Sequence, residues 1–391
     1  MKKRGVWIYL AILLGTILLN VAAWNSRAFS DWYMMNILPL WVNSYGWFTG
    51  LFPFSVGEFM LIAGAVLVIV AMLLAVVLLV VRAKKGKGFW RFCKVYYSGV
   101  AWIALGVFVV LTLNCFICYH GTDFATKYFS KETQSDDEYT LEELLMVRDF
   151  VVMQCNALAE QMERDAEGNI IYTGDMEAEA VKCMQAMGEE YEQLSGFYPE
   201  PKKIYFSEFL SQQYMQGYFF PFSMEANYNQ IMCIMNKPAT MCHELAHLKG
   251  FIQEDEANLI GYLACIQSDD LFFKYSGYLS VLNYLDNDFY DAVNRDKTQY
   301  LSQVRISAQV RKDNEFLTDE MWEKVEKKAV VSTETVDKIS DEIVEATLVI
   351  NGVEDGMLSY CRVVGLLLDY YAGQPEEIYL AQTQMAAAEA E

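Results

Sequence analysis

Met241-Cys-His-Glu-Leu-Ala-His-Leu-Lys-Gly250 is the stretch on which the reading of this chain turns. The protein has three histidines, His120, His243 and His247, and two of them stand here, four residues apart. On a helix, His243 and His247 lie one turn apart on one face, where two imidazoles can grip one metal ion. Glu244, one step round, can aim its carboxylate toward the same point. Met241, Leu245, Ala246 and Leu248 are apolar, so the helix is expected to be buried. Unpartnered imidazoles and a carboxylate are costly in a core, and a metal ion removes that cost. Gly250 should stop the helix, and Glu254-Asp-Glu-Ala-Asn258 should open the next one.

Catalytic zinc usually takes three protein ligands and leaves one position for water. Glu254 is the expected third ligand beside His243 and His247. Asn258, one turn further along the same helix, would then hydrogen-bond a ligand histidine. Glu256 points about 200° away from Glu254 on a helix, so it is the alternative and not a partner. The His-Glu-x-x-His arrangement matches zinc peptidases, with Glu244 as general base toward water and then as acid toward the leaving amine. An oxyanion would need a further donor. Tyr262, Tyr275, Tyr278, Tyr284, Arg305 and Arg362 are of suitable type, and the sequence does not choose among them. Residues 229–235 (Asn-Gln-Ile-Met-Cys-Ile-Met) read as the best strand, whose edge could receive an extended peptide. Glu225 and Asn227, just before it, are candidate contacts for a substrate terminus, although ordinary loop contacts suit them as well. Cys242 reads as buried packing beside the motif.

Outward from this stretch, hydropathy divides the chain. Three long uncharged runs, about 5–26, 59–81 and 95–119, are each long enough to cross a bilayer as a helix. Residues 1–119 carry a net charge of +8 and the remainder −29. So acidic a domain argues against nucleic acid as a partner, which would call for a basic surface. Lys2, Lys3 and Arg4 precede the first run, and Arg82, Lys84, Lys85, Lys87, Arg91 and Lys94 crowd the link between the second and third. Basic residues favour the cytoplasmic side, so the N-terminus and that link are expected inside and everything after about residue 120 outside. The first run is longer than a typical signal-peptide core, which favours an uncleaved anchor.

Residues 27–58 are aromatic and nearly uncharged, as expected for a segment at the membrane–water interface. A polar linker is expected over 120–138, then a metallopeptidase domain over 139–385, then a frayed tail over 386–391. Thr140-Leu-Glu-Glu143 is a capping-box signature for a helix to about 164. A second helix is expected over about 175–194 and a short strand at 203–207. Residues 217–222 read as a loop or bent strand. After the motif the chain reads as helical over about 254–268, 270–285, 289–310, 318–330, 333–350 and 355–372. The nine cysteines show no compact framework and read as buried apolar residues.

The motif with Glu254 and Asn258 resembles the gluzincin type of metallopeptidase, in which a Glu on a following helix is the third ligand and an Asp or Asn four residues later supports a histidine. Here the gap after His247 is shorter than in many gluzincins, so Glu254 and Glu256 both stay open. More closely, nearly the whole chain resembles a family of bacterial membrane proteins known as domain of unknown function 3810. The resemblance rests on Pro53-Phe-Ser-Val-Gly-Glu58, on Gly217-Tyr-Phe-Phe-Pro-Phe-Ser-Met-Glu-Ala-Asn227, on the metal motif with Gly250-Phe251, and on Ser359-Tyr-Cys-Arg-Val-Val364. It implies a zinc-dependent, peptidase-like domain and names no substrate. The expected architecture is a three-helix transmembrane region followed by a mostly α (α+β), zincin-like extracytoplasmic domain with a small sheet beside the motif helix. The expected function is a multi-pass membrane zinc metallopeptidase cutting peptides or proteins outside the cytoplasmic membrane. The alternative is a membrane sensor or binding module with a structural or vestigial zinc site.

Overall fold

The computed structural model describes residues 3–80, 87–129, 139–350, 362–372 and 374. It is mostly helical with one small sheet. The chain forms two compact units: Met1–Gly121 with Phe220–Glu225, and Thr122–Phe219 with Ala226–Glu391.

In the N-terminal unit, α1 (Lys3–Asn25) is followed by α2 (Arg27–Asn36). The aromatic segment thus begins as a helix. Ser26 caps α2 by accepting the Phe29 N–H. The two long helices that follow are α3 (Val56–Val80) and α4 (Lys87–Leu111). Stretches Arg4–Asn25, Val56–Leu78 and Gly88–His120 are each long and apolar enough to cross a membrane. Large apolar side chains such as Phe59, Leu73 and Val76 are exposed along α3, as lipid-facing residues would be. The few polar side chains find partners between helices. Asn20 Nδ2 donates to Thr112 Oγ1 at 2.8 Å, and the hydroxyls of Tyr96 and Tyr97 donate to the Leu67 and Ala71 carbonyls at 2.7 Å each. The basic residues Arg82, Lys84 and Lys85 lie outside the described residues.

The N-terminus of α3 has a partner far away in sequence. Glu225 is 1% exposed, and its carboxylate accepts the Val56 N–H at 3.1 Å, the Gly57 N–H at 2.7 Å and the Ser223 hydroxyl at 2.6 Å. The first turn of a helix has unsatisfied N–H groups and a positive end, so a carboxylate there satisfies both. Thr49 Oγ1 donates to the Ser223 carbonyl at 2.7 Å, and Asn114 Nδ2 to the Pro221 carbonyl at 2.8 Å. These bonds explain why Phe220–Glu225 clusters with the N-terminal unit.

The second unit opens on a short helix, Phe124–Tyr128, inside the stretch expected to be linker. Asp123 caps it, and Phe124 is fully buried, so one apolar anchor orders a segment that has no periodicity. The remainder of that stretch, 130–138, lies outside the described residues. Helix α5 (Leu141–Gln161) begins at Thr140 with both arms of the capping box formed. Helix α6 (Met176–Glu190) follows, capped by Asp175. The sheet consists of β1 (Lys202–Ile204), β2 (Gly217–Phe220) and β3 (Glu225–Asn229), in the order β1-β3-β2, with β1 and β3 parallel.

The expected strand over 229–235 is corrected: β3 ends at Asn229, and Ile234–Asn236 is a 3₁₀ turn. Asn229 causes the change, since its Oδ1 accepts the Ile231 N–H and turns the backbone out of the sheet. Met232 and Met235 are still buried, but from a turn. Strand β3 is also central in the sheet, so its edges are not free for a peptide.

Helix α7 (Lys237–His247) carries the motif, with Pro238 in its first turn. Gly250 (φ 93°) ends the segment, and α8 (Glu254–Ile266) packs back along α7. Gly261 permits the close approach, because a Cβ there would lie 3.0 Å from the Ala239 carbonyl and 3.1 Å from the His243 nitrogen. Helix α9 (Leu271–Ala292) runs through the expected break near residue 287. The expected helix over 289–310 is interrupted because Asn294 and Arg295 take positive φ. Two short helices, Lys297–Leu301 and Ala308–Asp313, follow instead. Asp319–Lys328, α10 (Thr333–Ile350) and α11 (Val363–Ala372) complete the unit. The start of the expected 355–372 helix and the 386–391 tail lie outside the described residues. All eight described cysteines are free thiols, and Cys361 lies outside the description. Cys242 and Cys265 are fully buried where α7 meets α8, with sulfurs 3.8 Å apart.

Candidate metal centre

Helical period on α7 and the return of α8 bring three side chains together. One ligand atom from each of His243, His247 and Glu254 lies within 4.8 Å of the others, a set that could hold a metal ion. His243 Nε2 is 3.1 Å from His247 Nε2 and 3.0 Å from Glu254 Oε2, and His247 Nε2 is 3.8 Å from that same oxygen.

The outer atoms of both rings are fixed. His247 Nδ1 lies 2.6 Å from the Phe251 carbonyl oxygen, which only accepts, so Nδ1 carries the hydrogen and Nε2 keeps its lone pair. Asn258 hydrogen-bonds His243 from the other side. Its Nδ2 is buried without a partner among the described residues, so Oδ1 is the accepting atom and the His243 donor is Nδ1. Each ring thus turns Nε2 inward, toward the other and toward a carboxylate. Two lone pairs and a carboxylate oxygen at these distances repel unless a cation sits among them.

In the metal-free protein a proton can fill that role. Burial disfavours charge on His243, but the Glu254 hydrogen bond and charge outweigh it and raise the pKa above the ordinary histidine range. Burial holds His247 down at about 4, so it stays neutral. The donor set therefore fits a divalent transition metal: two neutral imidazoles with fixed tautomers and one carboxylate.

Glu244 is 5% exposed and sits beside this cluster without joining it. Burial raises its pKa to about 8, against a lowering by the His243 ring and by a hydrogen bond from the Phe219 N–H. Its Oε2 is buried with no hydrogen-bond partner among the described residues. Strand β2 runs close against Glu244: a Cβ on Gly217 would lie 2.7 Å from Glu244 Oε1. The Phe219 ring stands 6.0 Å from the His247 ring. These contributions from Gly217, Phe219 and Phe251 were missed in the sequence, because two are backbone atoms and one is a missing side chain. The Gly-Tyr-Phe-Phe run was the only available signal.

The structure separates the two candidate third ligands. Glu254 is in the cluster. Glu256 is turned away and buried, with Oε1 accepting the Phe124 N–H at 2.5 Å. Burial pushes its pKa up to about 8. Asn227 runs beside Glu244, since a Cβ on Gly217 would lie 2.6 Å from the Asn227 carbonyl oxygen and 2.7 Å from Glu244 Oε1. Glu225 holds the α3 N-terminus, and the Asn227 amide donates to the Tyr218 carbonyl at 3.3 Å within the sheet. Several candidate oxyanion donors are committed elsewhere. The Tyr262 hydroxyl pairs with that of Tyr371, Tyr275 donates to Asp313 at 2.9 Å, and Arg362 pairs with Asp255 at 3.1 Å.

Three apolar N-terminal helices and a His–His–Glu cluster on two packed helices define a class: a helical protein with membrane-crossing capacity and, among the described residues, one potential metal centre. The chain belongs to the family described as protein of unknown function DUF3810, whose profile matches residues 33–368. No curated protein and no solved structure matches it.

Proposed function

We propose that this protein is a membrane-anchored zinc metallopeptidase acting on peptides or proteins outside the cytoplasmic membrane. The observation that supports it most is the pairing of a three-donor cluster with a buried carboxylate oxygen that has no hydrogen-bond partner among the described residues. A purely structural metal site has no use for Glu244, and an unsatisfied buried carboxylate oxygen is costly unless chemistry needs it. His243, His247 and Glu254 would hold the zinc, with Asn258 and the Phe251 carbonyl fixing the rings. When bound, zinc supplies a Lewis acid and acidifies coordinated water. Glu244 accepts a proton at Oε2, while the Phe219 N–H steadies the carboxylate, and later delivers that proton to the leaving amine. A bound cation would favour the ionised form of Glu244, against the burial that raises its pKa to about 8. The outward placing rests on the basic residues before α1 and between α3 and α4.

The test is paired. The full chain, purified in detergent, is assayed for bound zinc and for cleavage of a peptide library, beside Glu244→Gln. The expected result is one zinc in both forms and cleavage by the wild type alone, with a loss of about a hundredfold or more in the variant. Zinc in both with cleavage in neither would overturn the peptidase reading and favour a membrane sensor or binding module with a structural site.

A further inference from the structure

Residues 32–57, which lead from α2 to α3, carry no charged side chain. After α2 the backbone goes on as three joined helical pieces, Leu38–Trp41, Val42–Gly46 in π form and Trp47–Gly50. The two edges of this run differ. Leu38, Val42, Gly46 and Thr49, spaced by four, four and three residues, are buried within the N-terminal unit. A Cβ on Gly46 would lie 3.3 Å from the Met224 Cβ, and Thr49 Oγ1 holds the Ser223 carbonyl. Leu40, Trp47, Phe48 and Leu51 form the opposite edge. Leu40 is 60% and Leu51 61% exposed, and the two rings are just over half exposed. An apolar edge of this extent, left open, marks a binding surface.

We infer that this edge docks on phospholipid, in the headgroup-to-acyl zone of the leaflet where α1 ends and α3 begins. Three observations select lipid as the occupant. First, the segment is joined at both ends to helices long and apolar enough to cross a membrane, so chain connectivity holds it at the mouth of two spans. Second, its apolar surface runs without a break onto the lipid-facing side of α3. The rings of Phe48 and Phe52, of Phe52 and Phe54, and of Phe54 and Phe59 follow one another at 5.6, 5.6 and 5.1 Å, and Phe59 is exposed on α3. Third, a surface that receives a water-soluble protein has a polar or charged rim, and residues 32–57 supply no charge to build one. Trp, Tyr and Phe are the side chains that favour the membrane–water interface. The edge opposite the lipid grips Ser223 and Met224, so lipid contact bears directly on the 220–225 segment within the same unit. The inference is independent of the metal centre and of which side of the membrane the leaflet faces.

The experiment uses the full chain in nanodiscs of phosphatidylcholine with radiolabelled acyl chains. The photoreactive residue p-benzoylphenylalanine replaces Phe48 or Leu51 on the open edge, and in a control it replaces Val330, an exposed apolar residue of the second unit. Both edge positions are exposed, so the larger ring is accommodated without repacking, and each variant checks the other. After irradiation, labelled lipid bound covalently to the protein is measured. Lipid docking predicts adducts at positions 48 and 51 about tenfold more abundant than at 330. Equal yields at the three positions, or no lipid adduct at 48 and 51, would overturn the inference. A crosslink from 48 or 51 to a second copy or to another protein, in place of lipid, would overturn it as well.

Discussion

At the scale of single residues, the Nε2 atoms of His243 and His247 decide what the centre can do. Each ring has its other nitrogen committed, to Asn258 and to the Phe251 carbonyl, so the inward atoms are left for one shared cation. A proton and, under the proposed function, a zinc ion would compete for that position. The His243 pKa is raised in the folded, metal-free protein, so the proton is held below that pKa and lost above it. Metal affinity should therefore fall as pH drops through the raised His243 pKa, by about tenfold per pH unit while one proton is displaced. Zinc titration calorimetry between pH 5 and 8 in buffers of differing ionisation enthalpy (about that range brackets a raised imidazole pKa) would count the released proton. A flat affinity across the range would mean that no proton leaves His243 on metal binding. Two carboxylates two residues apart make a second test. Glu254→Gln should abolish stoichiometric metal binding, whereas Glu256→Gln should keep it, because Glu256 faces Phe124 and not the imidazoles. Metal analysis after dialysis separates the two outcomes.

At the scale of elements, one contact in each unit stands out. In the second unit, β2 lies against the motif helix, where Gly217 leaves room for Glu244 and the Phe219 N–H reaches it. In the N-terminal unit, Glu225 caps α3 with two backbone hydrogen bonds in a buried setting. Hydrogen bonds to a buried charge are strong, so Glu225→Ala should cost on the order of 3 kcal/mol within the N-terminal unit. Thermal unfolding in detergent should show a clear drop in midpoint, with Glu225→Gln intermediate because it keeps one acceptor. An unchanged midpoint in Glu225→Ala would mean that the cap carries no stability. The pairing of α7 with α8 is the other decisive element contact. Gly261 sets how near the helices come, and that distance is what lets Glu254 reach the histidines.

At the scale of the whole molecule, the charge asymmetry and the three apolar helices lead to a prediction about sidedness. With the proposed orientation, a cysteine at Val330, which is 98% exposed, should react with a membrane-impermeant maleimide on intact cells. Arg91→Cys, near the start of α4 and exposed, should react only after permeabilisation. The reverse pattern would move the metal centre to the cytoplasmic side and remove extracellular substrates from consideration.

The sequence by itself determined the three apolar helices, the capping box at Thr140, the stop at Gly250 and the shared face of His243 and His247. Each depends on run length or on helical period, which are local properties. The sequence does not reveal the turn within 229–235, because the Asn229 side chain competes with the sheet for backbone bonds, a contest that composition leaves open. Only the tertiary structure decided between Glu254 and Glu256, since both stand in the first turn of α8 and the angle between two helices chooses. It alone showed Phe219, Phe251 and Glu225 in their places. Two of these act through backbone atoms that every residue has, and the third acts on an N-terminus 168 residues away. Such contacts are fixed by packing, and packing has no period in the sequence.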